Sequence, residues 1–248
     1  MLALRVESLE EKPEWREIPI PSPSKNEVLV RIEACGLNFA DLLLMKGNYQ
    51  EKPELPFTLG MELAGRVMQV GPSVTGLEEG QKVAVYSGHG GLAEYGVFDS
   101  SRCTRIPHGL SILHAAGFQI AYGTSHLALD HKARLQPNEK LVVLGAAGGV
   151  GLTAVEIGKA MGASVIAVAR GEQKLRAAAQ AGADYLIDSE IGDLKEQVKA
   201  LGGADVVYDP VGGDQFNDIF RACNPDGRIL VIGFASGKIP EVKANHLM

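Results

Sequence analysis

The glycines at residues 145–151 are the part of this chain whose type and spacing most directly predict a chemistry. Residues 141–163 read LVVLGAAGGVGLTAVEIGKAMGA: an apolar run, a glycine-rich turn and an amphipathic pattern. Ala146, Gly148 and Gly151 take the three small-residue positions of the G-x-G-x-x-G fingerprint, with alanine first. Small residues let the chain turn tightly, and they let the free amides of a helix start approach a pyrophosphate. We therefore assign dinucleotide contacts to Gly145, Ala146, Ala147, Gly148, Gly149, Val150 and Gly151.

The remainder of the C-terminal half repeats this strand, turn and helix pattern. Gly162, Gly182 and Gly202 follow three of the predicted helices as stop signals, and the last predicted helix ends before the turn at 224–227. Alternation of strands and helices predicts a doubly wound parallel sheet, with ligands at the carboxyl ends of its strands. The predicted strands are 141–144, 164–169, 185–188, 205–211 and 228–234, and the later helices are 172–181, 194–201 and 215–223.

The N-terminal half has short alternating runs separated by proline and glycine, a pattern typical of a compact, mostly β domain. A helical stretch follows at 114–129. The sequence thus predicts an α/β protein with a first domain at 1–113 and a dinucleotide-binding domain at 114–248. The predicted strands of the first domain are 4–6, 28–32, 65–70, 82–86 and 94–98.

Composition narrows the functional classes. The chain has 248 residues and 46% hydrophobic content, which is enough for two hydrophobic cores. Its net charge of −6 gives no basis for nucleic-acid binding. Its apolar runs are too short to cross a membrane. Three scattered cysteines, Cys35, Cys103 and Cys223, favour a reducing compartment. These observations predict a cytoplasmic protein without a membrane or nucleic-acid partner.

Four segments together resemble a known family. They are CGLNFAD at 35–41, LGMELAG at 59–65, GAAGGVG at 145–151 and DPVGGD at 209–214. In this order they resemble the zinc-free medium-chain dehydrogenases/reductases of the quinone oxidoreductase type, which are related to zeta-crystallin. The resemblance implies a GroES-like catalytic domain followed by a Rossmann domain, with NADPH as cofactor.

Metal ligands distinguish the branches of this superfamily. Its zinc alcohol dehydrogenases carry a cysteine where this chain has Asn38 and a histidine where it has Met61. An amide and a thioether are poor zinc ligands, so we predict no metal. The four-cysteine structural lobe is also absent. The histidines, which show no ligand spacing, are His89, His108, His114, His126, His131 and His246.

The end of the second Rossmann strand bears on the choice of cofactor. NAD enzymes usually carry an acidic residue there, and this chain has Ala169. Arg170 follows at once, and Lys174 lies one helical turn later, so two cations can face a 2′-phosphate. The alternative is that Glu172 pairs with a neighbouring cation and that these charges belong to a solvated helix start that binds no phosphate. We expect NADPH rather than NADH.

The resemblance also implies roles for individual residues. Asn38 and Thr124 lie near the nicotinamide and hydrogen-bond a carboxamide or ribose. Tyr49 lines the substrate side, and Phe234, with Gly233 before it, closes the pocket behind the ring. The motif at 35–41 suggests Asp41 as a proton donor, although a carboxylate there can equally cap a helix over 42–46. The predicted catalytic residues are Asn38, Asp41, Tyr49 and Thr124.

Three functions are open at this point. Without a metal, the chain is expected to pass hydride from NADPH to a quinone, which becomes aromatic on reduction. Zinc-free relatives also reduce alkenals and enoyl compounds, in which case a tyrosine such as Tyr49 would steady an enolate. Some members instead serve as crystallins or RNA binders with little turnover.

The chain stops soon after the fifth Rossmann strand, whereas members of this family continue through another strand and return to the catalytic domain. We therefore expect the chain to be incomplete at its C-terminus relative to the family. The missing strand usually forms the dimer edge, so a homodimer is expected of the complete protein. This chain alone would expose a sheet edge and tend towards low stability.

Overall fold

The computed structural model describes residues 1–242. Packing divides the chain into a unit of Met1–Ile120 and a second unit that begins at Ala121. The boundary expected after residue 113 stays a prediction. His246, one of the histidines weighed as metal ligands, lies outside the described residues.

The first unit is built on two antiparallel sheets. A three-stranded sheet has the order β2-β1-β4 and a five-stranded sheet has the order β7-β3-β5-β6-β8. The strands are β1 (Leu2–Val6), β2 (Glu14–Glu17), β3 (Glu27–Gly36), β4 (Phe57–Thr58), β5 (Glu62–Val70), β6 (Lys82–Tyr86), β7 (Tyr95–Asp99) and β8 (Cys103–Arg105). The helices are α1 (Phe39–Leu44), α2 (Ile112–Ala116) and α3 (Gln119–His126), which begins in this unit.

The core of this unit follows from the period-two alternation of its strands. Val28 and Val30 of β3 are fully buried, as are Val83 and Val85 of β6, while most of their neighbours are more exposed. These side chains pack around Leu63 of β5. The alternating runs thus form the predicted mostly β unit.

The second unit is a parallel five-stranded sheet with the order β11-β10-β9-β12-β13. Numbered within the unit, this order is 3-2-1-4-5, the order of a Rossmann sheet, so the predicted doubly wound fold is confirmed. The strands are β9 (Lys140–Leu144), β10 (Ser164–Ala169), β11 (Tyr185–Asp188), β12 (Ala204–Asp209) and β13 (Cys223–Val231). The helices are α4 (Gly149–Ala160), α5 (Glu172–Gln180), α6 (Leu194–Ala200) and α7 (Gln215–Phe220).

Both faces of this sheet are covered, which explains its continuous apolar runs. In β9, Leu141 and Val143 face a cluster that includes α4, whereas Val142 and Leu144 face a cluster that includes α6 and α7. Several of the helices are followed by glycines with positive φ, because only a residue without a Cβ takes that conformation freely. At Gly162 after α4, φ is 84°.

Several predicted boundaries are wrong by a few residues. The helix expected over 114–129 is divided into α2, α3 and a π-helical turn at Leu127–Lys132, with Gly117 ending α2. The strand expected over 205–211 ends at Asp209, because Pro210 has no N–H for a ladder. The strand expected over 228–234 is β13, which begins earlier and ends at Val231.

β13 stands last in the sheet order, and within residues 1–242 no strand pairs with its outer side. Val231, the last residue of β13, is exposed. Low stability of this chain stays a prediction. Among the described residues, no helix is long and apolar enough to span a membrane.

Candidate cofactor and substrate site

The glycine turn of the second unit lies between β9 and α4. The chain turns at Gly145, where φ is 56°. Ala146 is fully buried, and its N–H donates to Val168 O of β10 at 3.1 Å, which fixes the turn against the neighbouring strand. A Cβ at position 145 would lie 2.9 Å from Val211 Cγ2, so the loop after β12 closes on the same turn. The turn therefore lies at the carboxyl edge of the sheet, where β9 and β12 are neighbours.

The glycines of this turn differ in their surroundings. A Cβ at Gly151 would lie 2.3 Å from Gly145 O, so helix α4 packs where a side chain has no room. Gly148 and Gly149, in contrast, are exposed, and a Cβ at Gly149 would meet nothing within 4 Å. The space beside Gly149 is open. The first N–H groups of α4 have no intrahelical acceptor and attract an anion there.

The loops that follow β12 and β13 run side by side next to the turn. Gly233 N donates to Asp209 O at 3.3 Å, and a Cβ at Gly212 would lie 3.1 Å from Phe234 Cδ1. Asp209 is almost fully buried, and its Oδ1 accepts from Val211 N and Gly212 N at 2.8 Å each. Burial raises the pKa of Asp209, and the two backbone donors lower it. The structure thus brings Gly233 and Phe234 beside the glycine-rich loop at 209–213.

The residues expected to determine the preference for NADPH over NADH follow the end of β10. Arg170 and Lys174 are exposed. Glu172 forms its ion pair with Arg176 four residues later. Among residues 1–242, neither Arg170 nor Lys174 has a carboxylate partner. Both cations remain available to a phosphate group.

Thr124 lies on α3, next to a buried hydroxyl cluster that sequence reasoning missed. Ser125 Oγ lies 2.9 Å from Tyr208 OH and 2.8 Å from Thr153 Oγ1. Thr153 Oγ1 also donates to Ala121 O at 3.0 Å, which joins the start of this unit to α4. The one available signal was Tyr208 in the middle of an apolar strand, since a buried tyrosine hydroxyl requires a partner.

In the first unit, Asn38 and Asp41 are brought together at the start of α1. Asn38 is the N-cap, and its N–H donates to Asp41 Oδ2 at 2.9 Å. Asp41 Oδ1 accepts from Met61 N at 3.2 Å. Burial raises the pKa of Asp41, and three backbone donors lower it. Asp41 therefore lies in the first turn of α1, and its carboxylate links the backbone at Asn38 to the backbone at Met61. Its expected role as an acid stays a prediction.

Glu62, which sequence reasoning passed over, contacts the same residues. It is 2% exposed, and its Oε1 accepts from Asn38 Nδ2 at 2.9 Å. Its Oε2 accepts from Ile120 N, in the first turn of α3, at 3.0 Å. The signal in the sequence was a lone glutamate within the apolar run LGMELAG, since a buried carboxylate requires hydrogen-bond donors.

Tyr49 is half-buried against the apolar cluster that contains Leu44 and Met61. Burial raises the pKa of Tyr49, and Glu51 and Asp41 raise it further. The phenol therefore stays protonated at neutral pH and can donate a hydrogen bond.

The residues at the expected metal position do not fit zinc. Asn38 directs an amide N–H, a donor without a lone pair for a metal, at Glu62. Met61, a thioether, is buried in the apolar cluster of β1 and β4. Within residues 1–242, no group of three or more His, Cys, Asp or Glu side chains could hold a metal ion.

Comparison with known families agrees with this division of the chain. Residues 24–108 match the alcohol dehydrogenase GroES-like domain, and residues 149–248 match the zinc-binding dehydrogenase domain. The chain consists of a GroES-like unit and a Rossmann unit.

Relatives of known sequence and structure define the family more closely. Quinone oxidoreductase-like protein 2 of Mus musculus is 41% identical over 226 residues, which cover 90% of this chain and 65% of that protein. The solved quinone oxidoreductase of Thermus thermophilus, also determined with NADPH, is 33% identical with a TM-score of 0.85, over 100% of this chain and 77% of that one. The Escherichia coli quinone oxidoreductase complexed with NADPH is 30% identical with a TM-score of 0.89, over 99% of this chain and 76% of that one. This chain belongs to the medium-chain dehydrogenase/reductase family, in its zinc-free, quinone oxidoreductase type.

Two glycines of α4, one packed and one exposed, give a matched test. We expect Gly151→Ala to lower the free energy of unfolding by about 1 to 3 kcal/mol, because its Cβ collides with a backbone carbonyl. We expect Gly149→Ala, in the same helical turn, to change it by less than about 0.5 kcal/mol, because its Cβ enters open space. Urea unfolding followed by circular dichroism measures both. Equal stability of the two variants would contradict the packing described here.

Proposed function

We propose that this chain is part of an NADPH-dependent reductase that passes a hydride to a quinone without a metal. The observation that carries the proposal is the exposed glycine turn at the start of α4, at the carboxyl edge of a Rossmann-ordered sheet. The quinone oxidoreductases among its relatives support the choice of reaction. The chain spans 65% of the length of the first of these relatives, so the activity is proposed for the whole protein.

The cofactor contacts are proposed residue by residue. The turn at 145–151 holds the pyrophosphate, as its free amides and open space allow. Arg170 and Lys174 hold the 2′-phosphate, because both cations are exposed and have no carboxylate partner in the described chain. Asn38 and Thr124 bind the nicotinamide end, and Gly233 and Phe234 close the pocket behind the ring. NADPH complexes of two structural relatives support the cofactor.

The protein side chains orient the acceptor and supply hydrogen bonds. NADPH supplies the hydride when bound. Tyr49 is proposed to line the substrate side, where its ring stacks on a flat quinone and its protonated hydroxyl donates to the oxygen that gains charge. The amide of Asn38 is proposed to supply a further hydrogen-bonding group. A quinone needs no Lewis acid, since its reduction product is aromatic, and this fits a donor set unsuited to zinc.

A homodimer and a cytoplasmic location belong to the same proposal. We propose the outer side of β13, with which no strand pairs within residues 1–242, as the edge at which two copies associate. The cysteines at positions 35, 103 and 223 are free thiols, as expected in a reducing compartment.

The direct test is NADPH oxidation by the purified full-length protein with a small para-quinone. We expect turnover that prefers NADPH over NADH and is unchanged by a chelator. Turnover with an alkenal and none with a quinone would replace the proposal with a double-bond reductase. Tight NADPH binding without turnover of either acceptor would contradict the proposed enzyme.

Charge reversal at Lys174 tests the cofactor preference. We expect Lys174→Glu to raise the Kd for NADPH by about tenfold or more and to leave the Kd for NADH nearly unchanged, because only NADPH carries the 2′-phosphate. Lys199→Glu, in the last turn of α6, makes the same charge change at the opposite edge of the sheet and serves as the control. Fluorescence titration measures both constants. Unchanged NADPH affinity in Lys174→Glu would contradict the assignment.

A further inference from the structure

Glu62 places a carboxylate inside the first unit, and among residues 1–242 it forms no ion pair with a cation. The pKa of Glu62 is raised first by burial, lowered by hydrogen bonds from Asn38 and the backbone of α3, and raised again by Asp41. A buried charge of this kind is costly unless every oxygen has donors. Glu62 has them on both oxygens, from Asn38 Nδ2 and Ile120 N. The Glu62 carboxylate is therefore buried at a position where it needs hydrogen-bond donors on both of its oxygens.

The backbone opposite Glu62 is shaped to admit the carboxylate. Gly36 of β3 pairs with Glu62 of β5 across the sheet. A Cβ at Gly36 would lie 2.6 Å from Glu62 Oε1 and 2.7 Å from Ala116 O. The glycine leaves the carboxylate the room to reach Asn38, two residues further along the chain.

The direction of these hydrogen bonds determines how Asn38 is oriented. A carboxylate accepts and cannot donate when ionised, so Glu62 binds only the amide nitrogen of Asn38. The carbonyl end of the Asn38 amide is thereby turned away from Glu62. With Ile120 N on the other oxygen, one side chain fixes both the Asn38 amide and the first turn of α3, the helix that also carries Thr124.

We propose that Glu62 is a positioning residue of the reductase, whose carboxylate sets the orientation of the Asn38 amide through one oxygen and the start of α3 through the other. The proposal rests on the proposed function for the consequence that Asn38 contacts the nicotinamide. The orientation itself is a property of the first unit alone.

Three variants separate this role from a merely structural one. In Glu62→Gln, the new amide can accept from Ile120 N only by turning its NH₂ towards Asn38, so the Asn38 amide must flip and present the opposite polarity. In Asn38→Asp, two carboxylates face each other. In the double variant, the new carboxylate at position 38 accepts from the new amide at position 62, and an acceptor oxygen at position 38 again points away from β5.

We expect each single variant to lower kcat/KM with NADPH and quinone by about 10- to 100-fold, the range for a hydrogen bond to a charged group. We expect the double variant to recover most of that loss. Glu33→Gln, which removes an exposed carboxylate of β3 paired with Arg66, is the matched control and should be unchanged. Losses that simply multiply in the double variant would overturn the proposal, because independent effects are additive in free energy.

A second readout does not depend on the reaction. In the unliganded protein, the side-chain NH₂ of Asn38, identified in ¹H–¹⁵N spectra by its disappearance in Asn38→Asp, should be protected from solvent exchange. We expect Glu62→Gln to change its shift and protection while Glu33→Gln leaves both unchanged. The same Asn38 signals in the native protein and Glu62→Gln would overturn the proposal. If the native protein reduces no quinone, the proposed function fails, and this spectrum alone decides the role of Glu62.

Discussion

The close approach of Gly151 to the carbonyl oxygen of Gly145 is the constraint on which the second unit depends. With only 2.3 Å from that oxygen to the place of a Cβ at position 151, helix α4 can approach β9 so closely only because residue 151 has no side chain. This approach directs the helix start at the carboxyl edge of the sheet. The exposure of Gly148 and Gly149 is a consequence, since the same turn that buries Ala146 leaves these residues facing outward.

In the first unit, backbone and side-chain hydrogen bonds hold two buried carboxylates in place. Asp41 uses both carboxylate oxygens on backbone N–H groups, from Asn38 and Met61. Glu62 uses one oxygen on a side chain and one on the backbone of α3. Buried carboxylates satisfied in this way hold a loop rigidly, because leaving any of their donors unpaired costs free energy. In the proposed reductase, a fixed Asn38 amide would orient the cofactor that performs the chemistry.

Periodicity predicted most of the fold, because burial on one face or two leaves a direct trace in the sequence. The strand expected over 164–169 and the one over 185–188 have the observed bounds, and the apolar run of β9 is the central strand of the sheet. The failures occur where local signals compete. Gly117 divides a stretch that reads as one helix. Residues 224–227, which read as a turn, interrupt the pairing of β13 with β12, and Asp226 there has a φ of 61°.

The site was less accessible to sequence reasoning than the fold. The glycine turn could be predicted because each small residue answers a steric need that recurs at fixed spacing. Glu62 and Tyr208 could not be assigned, because their importance lies in hydrogen bonds to residues far away in the chain. A buried polar residue in an apolar run signals that partners exist without revealing which they are.

Amide hydrogen exchange of the turn at 145–151, with and without saturating NADPH, tests the cofactor site most directly. If the free amides at the start of α4 bind the pyrophosphate, exchange at Gly149 and Val150 should slow strongly when NADPH is added, while the amides of α2 should change little. NADPH that binds at saturation and leaves the exchange of this turn unchanged would contradict the site.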